Sequence, residues 1–167
     1  NRVTDCGVCG FAGTGPILGG ALGFGGPLDH RTGRICVSHH VEGWSGFALG
    51  EWAASLLQAP VRIENDANTA ALAEARLGAG RGQDPVFYTT LGSGVGGGLV
   101  VDGAIYHGAP PGEAELGHVR LDREGRTVES CCAGWDVDRK VRAQAARDPS
   151  SMLARLAQES PGREARH

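Results

Sequence analysis

Residues 91–103 read LGSGVGGGLVVDG, with glycine at positions 92, 94, 96, 97 and 98. The run lies between two apolar stretches, VFYTTL before it and LVVDGAIY across its end. Asp102-Gly103 between apolar runs predicts a tight β-hairpin turn. Glycine weakens a strand because it has no side chain to pack and much backbone freedom to lose. So many glycines beside strands therefore need a further reason.

Two interpretations of the glycine run follow from the residues. The run lacks the Gly-Lys ending of a P-loop, and it opens a strand where a dinucleotide fingerprint would open a helix. A hairpin turn with bare backbone N–H groups can nevertheless bind phosphate, and Ser93 would add a hydroxyl. The alternative is a tight, bulged turn that binds no ligand.

Composition indicates a folded soluble protein. The chain has 167 residues, is 41% hydrophobic and 21% charged, and carries a net charge of -3, without the basic surface of a nucleic-acid-binding protein. It has neither an apolar run of the roughly 18–20 residues that a membrane span needs nor a secretory leader. Five cysteines, an odd number, fit a reducing compartment. We expect a cytoplasmic protein without membrane or nucleic-acid partners.

The order of elements is α/β up to about residue 80 and a β-meander after it. We predict that residues 21–28 form a short buried strand running into a Gly-Gly-Pro turn, that a helix begins at Phe47, and that 61–64 form a strand. An alanine-rich helix follows and is expected to stop at Gly78 as a glycine cap would. GAGRGQDP (78–85) is the best boundary, which predicts domains over 1–80 and 81–167.

The stretch IENDANTAA (63–71) places Asn65 and Asp66 where a strand meets a helix. An Asn or Asp at this position can simply cap the free amides of the helix. A carboxylate at the C-terminal end of a strand can also face the ligand crevice of an α/β sheet. There Asp66 could accept a proton from a substrate hydroxyl as a general base.

Glu115 and His118 in GEAELGHV are three residues apart, so they share one face of a helical turn. Such a pair can bind vicinal sugar hydroxyls, hold a metal, or form a surface ion pair. Zinc candidates are His118, Cys131 and Cys132, but adjacent cysteines rarely ligate one tetrahedral zinc together. Cys6-x-x-Cys9 lies far upstream, and nothing around it resembles a redox βαβ unit.

In combination, ENDAN (64–68), LGSGVGGG (91–98) and ELGH (115–118) followed by a cysteine pair resemble the ROK sugar kinases and repressors. FGGPLD (24–29) and HHVEGW (39–44) resemble the sugar-side segments of that family. The resemblance implies an actin-like ATPase fold with two RNase-H-like lobes around a cleft. Both lobes would be incomplete in this chain, which we expect to be a piece of a longer protein.

The resemblance also implies roles. Asp66 would be the base that deprotonates the sugar hydroxyl, and the family's sugar contacts fall on Asn65, Glu115, His118, Gly26 and His40. The phosphates of ATP, with Mg²⁺, would be cradled by the hairpin residues Gly92, Ser93, Gly94, Val95, Gly96 and Gly97. The acceptor would be a hexose or an N-acetylhexosamine, and the full-length protein a homodimer.

Three departures from the family pattern limit these roles. The opening phosphate loop of the family (Asp-x-Gly-Gly-Thr-Lys-like) is absent, so we expect the 167-residue chain alone to be inactive. SCCAGWDVD (130–138) lacks the third cysteine and the aligned glutamate of the zinc motif, so we expect weak zinc binding or none. His40 stands where many members have Asn. The alternative function is a sugar-responsive repressor whose DNA-binding region lies outside this chain.

Overall fold

The structure is a computed structural model that describes residues 16–38, 41–108 and 115–159. His40, Cys6 and Cys9 lie outside these ranges. The strands are β1 (Gly20–Phe24), β2 (Leu28–Asp29), β3 (Arg34–Ile35), β4 (Val61–Asn65), β5 (Val86–Leu91), β6 (Val95–Val101) and β7 (Ala104–Ile105). The helices are α1 (Leu49–Leu57), α2 (Asp66–Arg76), α3 (Val128–Cys132), α4 (Gly134–Arg147) and α5 (Met152–Glu159), with a 3-10 turn over Leu116–His118.

The first part of the chain is a parallel strand pair with a helical crossover. β1 pairs with β4 in register from Gly20 opposite Val61 to Phe24 opposite Asn65. Parallel strands need such a crossover connection, and here the β2–β3 hairpin and α1 supply it. A small apolar core forms beneath, and its buried members are Leu28, Ile35, Leu49 and Ile63.

The second part is an antiparallel meander in the order β5–β6–β7. The β6–β7 turn has positive φ at both central residues, 51° at Asp102 and 71° at Gly103, as a type I′ turn requires. The hairpin predicted from Asp-Gly is therefore confirmed.

Helix α2 joins the two parts, since it starts where β4 ends and packs on β5 and β6. The packing is close because β6 carries glycine. A Cβ at Gly98 would lie 2.6 Å from the Ala71 Cβ and 2.9 Å from the Ala67 carbonyl oxygen. A Cβ at Gly96 would lie 3.3 Å from the Ala67 Cβ. Part of the glycine run thus serves helix packing, a role that the sequence analysis did not foresee.

Two local predictions were wrong in part. The strand predicted within 21–28 is present as β1 and ends at Phe24, before the Gly-Gly-Pro turn, but it is not buried: Leu22 is 39% exposed in a sheet of two described strands. Gly78 directly follows Leu77, the C-cap of α2, as a capping glycine would, but its φ is not positive, so it does not adopt the left-handed conformation of such a cap.

Helices α3, α4 and α5 follow the meander. Thr127 and Ser130 form a reciprocal capping box at the start of α3, which fixes where this short helix begins. Within the described ranges, no helix is long and apolar enough to cross a membrane.

Candidate active site

Asp66 is the first residue of α2, and its side chain is exposed. Its Oδ1 accepts a hydrogen bond from the Ala67 N–H at 2.8 Å. Its Oδ2 lies beside the backbone of Gly25, where an added Cβ would be only 3.2 Å away. The carboxylate is therefore accessible and sits over the glycine turn that follows β1.

Asn65 caps the helix that Asp66 begins. Its Oδ1 accepts from the Asn68 N–H at 3.1 Å, and its Nδ2 donates to the Gly26 carbonyl at 3.4 Å. Gly26 has a φ of 146°, a conformation that favours glycine. The structure thus brings together Gly26, Asn65 and Asp66, three residues that the sequence analysis assigned to one site. The capping interpretation applies to Asn65.

The tip of the β5–β6 hairpin is open. Gly92 and Ser93 are exposed, and nothing lies within 4 Å of a Cβ added at Gly92. Within the turn, the Gly92 N–H donates a hydrogen bond to the Gly94 carbonyl at 2.9 Å. By contrast, Val95 and Gly97 are buried within the sheet. Residues 92–94 are consequently the part of the glycine run that a phosphate could approach.

Glu129, which sequence reasoning missed, holds this tip from α3. Its Oε2 accepts a hydrogen bond from the Val95 N–H at 2.9 Å, and a Cβ at Gly94 would lie 2.7 Å from the same oxygen. The Gly134 N–H, at the start of α4, donates to the Gly92 carbonyl at 2.8 Å. A single glutamate in a five-residue helix gives no sequence signal for such a contact.

Glu115 and His118 face each other as their spacing predicted, with Glu115 Oε2 3.7 Å from His118 Nδ1. Both side chains are exposed. The turn that carries them is pressed against the start of β6, because any Cβ at Gly117 would collide with the Val95 carbonyl oxygen.

Two elements that carry predicted site residues contact the start of β6. The first turn of α2 contacts it through Ala67 and Gly96, and the Glu115–His118 turn contacts it through Gly117 and Val95. Asp66, which precedes Ala67, and the Glu115–His118 pair are therefore each carried by an element that contacts the start of β6. Their side chains and the hairpin tip are exposed.

The zinc candidates do not converge. His118 keeps 73% of its side chain exposed, Cys131 is half-buried and Cys132 is exposed. The described part of the chain contains no group of three or more His, Cys, Asp or Glu placed to hold a metal. Asp136 of the same segment binds Lys140 Nζ at 2.6 Å, and that ammonium also donates to the Cys131 carbonyl at 2.8 Å. This donor set does not fit a zinc site, and the expectation of weak zinc binding or none stays a prediction.

Comparison with known proteins identifies similar proteins of one family. The ROK family profile matches residues 13–136. The chain is 38% identical over 115 residues to a glucokinase of Halalkalibacterium halodurans, covering 69% of this chain and 34% of that protein. A ROK family glucokinase of Streptomyces griseus, solved with glucose and AMPPNP, superposes with a TM-score of 0.71 at 30% identity. That match covers 84% of this chain and 47% of the other.

The fold is shared with regulators as well. A ROK family transcriptional regulator, a homologue of the E. coli MLC protein, superposes with a TM-score of 0.69 at 24% identity over 81% of this chain and 36% of its own. At that identity the likeness concerns the fold alone. The prediction of an α/β chain with the actin-like ATPase fold is confirmed, and the chain spans a third to a half of the length of these proteins.

Proposed function

Because the chain belongs to the ROK family, we propose that the protein containing it is an ATP-dependent sugar kinase. It would transfer the γ-phosphoryl group of ATP to a hydroxyl of a hexose or an N-acetylhexosamine. Glucokinases among its relatives support a sugar kinase.

The observation that carries the proposal is the position of Asp66. Its exposed carboxylate lies at the junction of β4 and α2, and the next residue contacts Gly96 at the base of the open glycine hairpin. Phosphoryl transfer depends mainly on positioning and charge stabilisation, so a base beside a phosphate-binding turn is the arrangement that it requires.

In the proposed reaction, the sugar hydroxyl oxygen forms a bond to the γ-phosphorus of ATP. Asp66 accepts the proton that this hydroxyl loses. The bond from that phosphorus to the bridging oxygen breaks, and ADP leaves. Glu115 and His118 would bind other sugar hydroxyls, and Asn65, Gly26 and His40 are proposed to complete the sugar site.

The backbone amides of Ser93 and Gly94 and the Ser93 hydroxyl would hold the phosphates, while the Gly92 N–H closes the turn by donating to the Gly94 carbonyl. The Val95 N–H already donates to Glu129. Val95, one of the six predicted hairpin residues, would therefore hold the turn in place and would not bind phosphate itself. Mg²⁺ bound to the nucleotide would neutralise phosphate charge.

The alternative is a sugar-responsive repressor with its DNA-binding region elsewhere. A repressor needs neither a base at Asp66 nor an open phosphate turn, and this chain has both in exposed positions. As part of the kinase proposal, we propose that the two lobes divide near residue 80 and that the full-length protein is a homodimer. We also propose that it is located in the cytoplasm, where ATP is available.

The test is a coupled ADP-release assay on the intact protein with glucose, N-acetylglucosamine and N-acetylmannosamine. We expect sugar-dependent, Mg²⁺-dependent turnover, and none from the 167-residue chain alone. Binding of sugar without turnover, together with sugar-sensitive binding to DNA, would replace the kinase by the repressor.

A further inference from the structure

Glu64, the residue before Asn65 and Asp66, is held by three hydrogen bonds. Its Oε1 accepts from the Asn65 N–H at 2.9 Å and from Asn68 Nδ2 at 3.2 Å. Its Oε2 lies 2.8 Å from His107 Nε2. The Glu64 and His107 side chains are only 21% and 24% exposed, so this is a largely desolvated pair.

These hydrogen bonds involve the residues on both sides of Asp66 in the sequence. Asn68 is fully buried, its side chain is bound by Glu64, and its N–H is bound by Asn65. Glu64 and Asn68 thereby fix the backbone on both sides of Asp66. Displacing Glu64 would loosen the helix cap and let the Asp66 carboxylate shift.

His107 keeps Glu64 in place. Burial of the Glu64 carboxyl opposes its ionisation, but the hydrogen bonds from His107, Asn65 and Asn68 together outweigh burial and hold the pKa of Glu64 below its usual range, with His107 the largest of the three. Because an ionised carboxylate only accepts, His107 Nε2 carries the proton in this bond. The His30 ring stacks on His107 with centroids 3.7 Å apart and planes 13° apart, which fixes the imidazole orientation.

We propose that Glu64 and His107 are positioning residues for Asp66. Their pair links the backbone around the base to the segment after β7, which leads along the chain to the Glu115–His118 turn. The inference rests on the proposed function, since it assigns these residues to the alignment of the proposed base. Neither residue touches the reacting atoms.

The experiment compares two amide variants that differ in reach. In His107→Gln the side-chain amide extends to about the place of Nε2 and can donate to Glu64, whereas in His107→Asn it is too short. Tyr106→Phe is the control, because Tyr106 is a neighbouring residue whose side chain is 57% exposed. Steady-state kinetics of the intact protein and its thermal unfolding are measured for each variant.

We expect His107→Asn to lower kcat on the order of 10- to 100-fold, the scale of a base displaced by a fraction of an ångström to 1 Å. The KM values for sugar and ATP should stay within about threefold, because binding is unchanged when only alignment is lost. His107→Gln should recover most of kcat, and Tyr106→Phe should match the wild type.

Equal losses in the Gln and Asn variants, or kcat within about twofold of wild type in both, would overturn the inference while leaving the kinase proposal intact. Loss in the Asn variant that appears only as a lower melting temperature would also overturn it. A wild-type protein that phosphorylates no sugar would overturn the proposed function and this inference together.

Discussion

Glu129 and Val95 are joined by a hydrogen bond across 34 residues of sequence, from the Val95 N–H to Glu129 Oε2 at 2.9 Å. The bond ties α3 to the base of the glycine hairpin. Glu129 is half-buried, so its removal would leave the Val95 N–H in a site with little access to water.

We predict that Glu129→Ala lowers the free energy of unfolding by about 1–3 kcal/mol, the cost of leaving a buried donor unpaired. Glu129→Gln keeps a carbonyl acceptor and should lose less than half as much. Denaturant unfolding of the chain measures both. Equal losses in the two variants would show that packing, and not the hydrogen bond, accounts for the effect.

At Gly98, β6 lies too close to α2 to leave room for a Cβ. We predict that Gly98→Ala destabilises the chain by about 1–3 kcal/mol, because the new methyl group would press on Ala71 and on the helix backbone. Gly92→Ala, where the added Cβ meets nothing within 4 Å, should change stability by less than about 0.5 kcal/mol. Thermal and denaturant unfolding of both variants test this prediction. A Gly92→Ala variant destabilised as much as Gly98→Ala would contradict it.

The sequence predicted what local chemistry determines. Asp102-Gly103 predicts its turn because both positions need positive φ. Asn65 and Asp66 are found at the strand–helix junction because an Asx residue there caps free amides. The pairs Glu129–Val95 and Glu64–His107 were missed, since they join residues 34 and 43 positions apart and follow no periodic pattern.

The glycine run shows the same limit. Its composition indicated a close backbone approach, but a ligand and a packed helix both call for bare backbone. Tertiary structure separates the two, since Gly96 and Gly98 face α2 while Gly92 is open. Sequence alone could not divide the run in this way.

Asp136 gives the chain an acid-sensitive element. Hydrogen bonds from Lys140 and then Arg139, which outweigh burial, hold the pKa of Asp136 below its usual value. A carboxyl with a lowered pKa in the folded state contributes stability above its unfolded pKa of about 3.9, and loses it as pH falls through the folded value. We predict that Asp136→Asn destabilises the chain at pH 7 and that the difference from wild type shrinks below about pH 4.

The control for this prediction is Asp138→Asn on the same helix. Asp138 also pairs with an arginine, Arg142, at 2.8 Å, but its side chain is 50% exposed, so the pair is worth little. Urea unfolding at a series of pH values measures both variants. A difference between Asp136→Asn and wild type that stays constant from pH 7 to about pH 3 would show that ionisation of Asp136 is not its source.

Asp66 is the residue on which the proposed chemistry depends. We predict that Asp66→Asn lowers kcat of the intact protein by about 10²–10⁴-fold, the usual contribution of a general base. Asn retains the first-turn acceptor that bonds the Ala67 N–H, so α2 should keep its stability.

Asp102→Asn is the matched control, since it makes the same chemical change in an exposed turn whose positive φ Asn tolerates. Sugar-dependent ADP release and thermal unfolding are measured side by side. A loss of less than about tenfold in a folded Asp66→Asn protein would remove Asp66 from the role of base. Equal losses in the Asp102→Asn variant would show that the effect does not belong to the site.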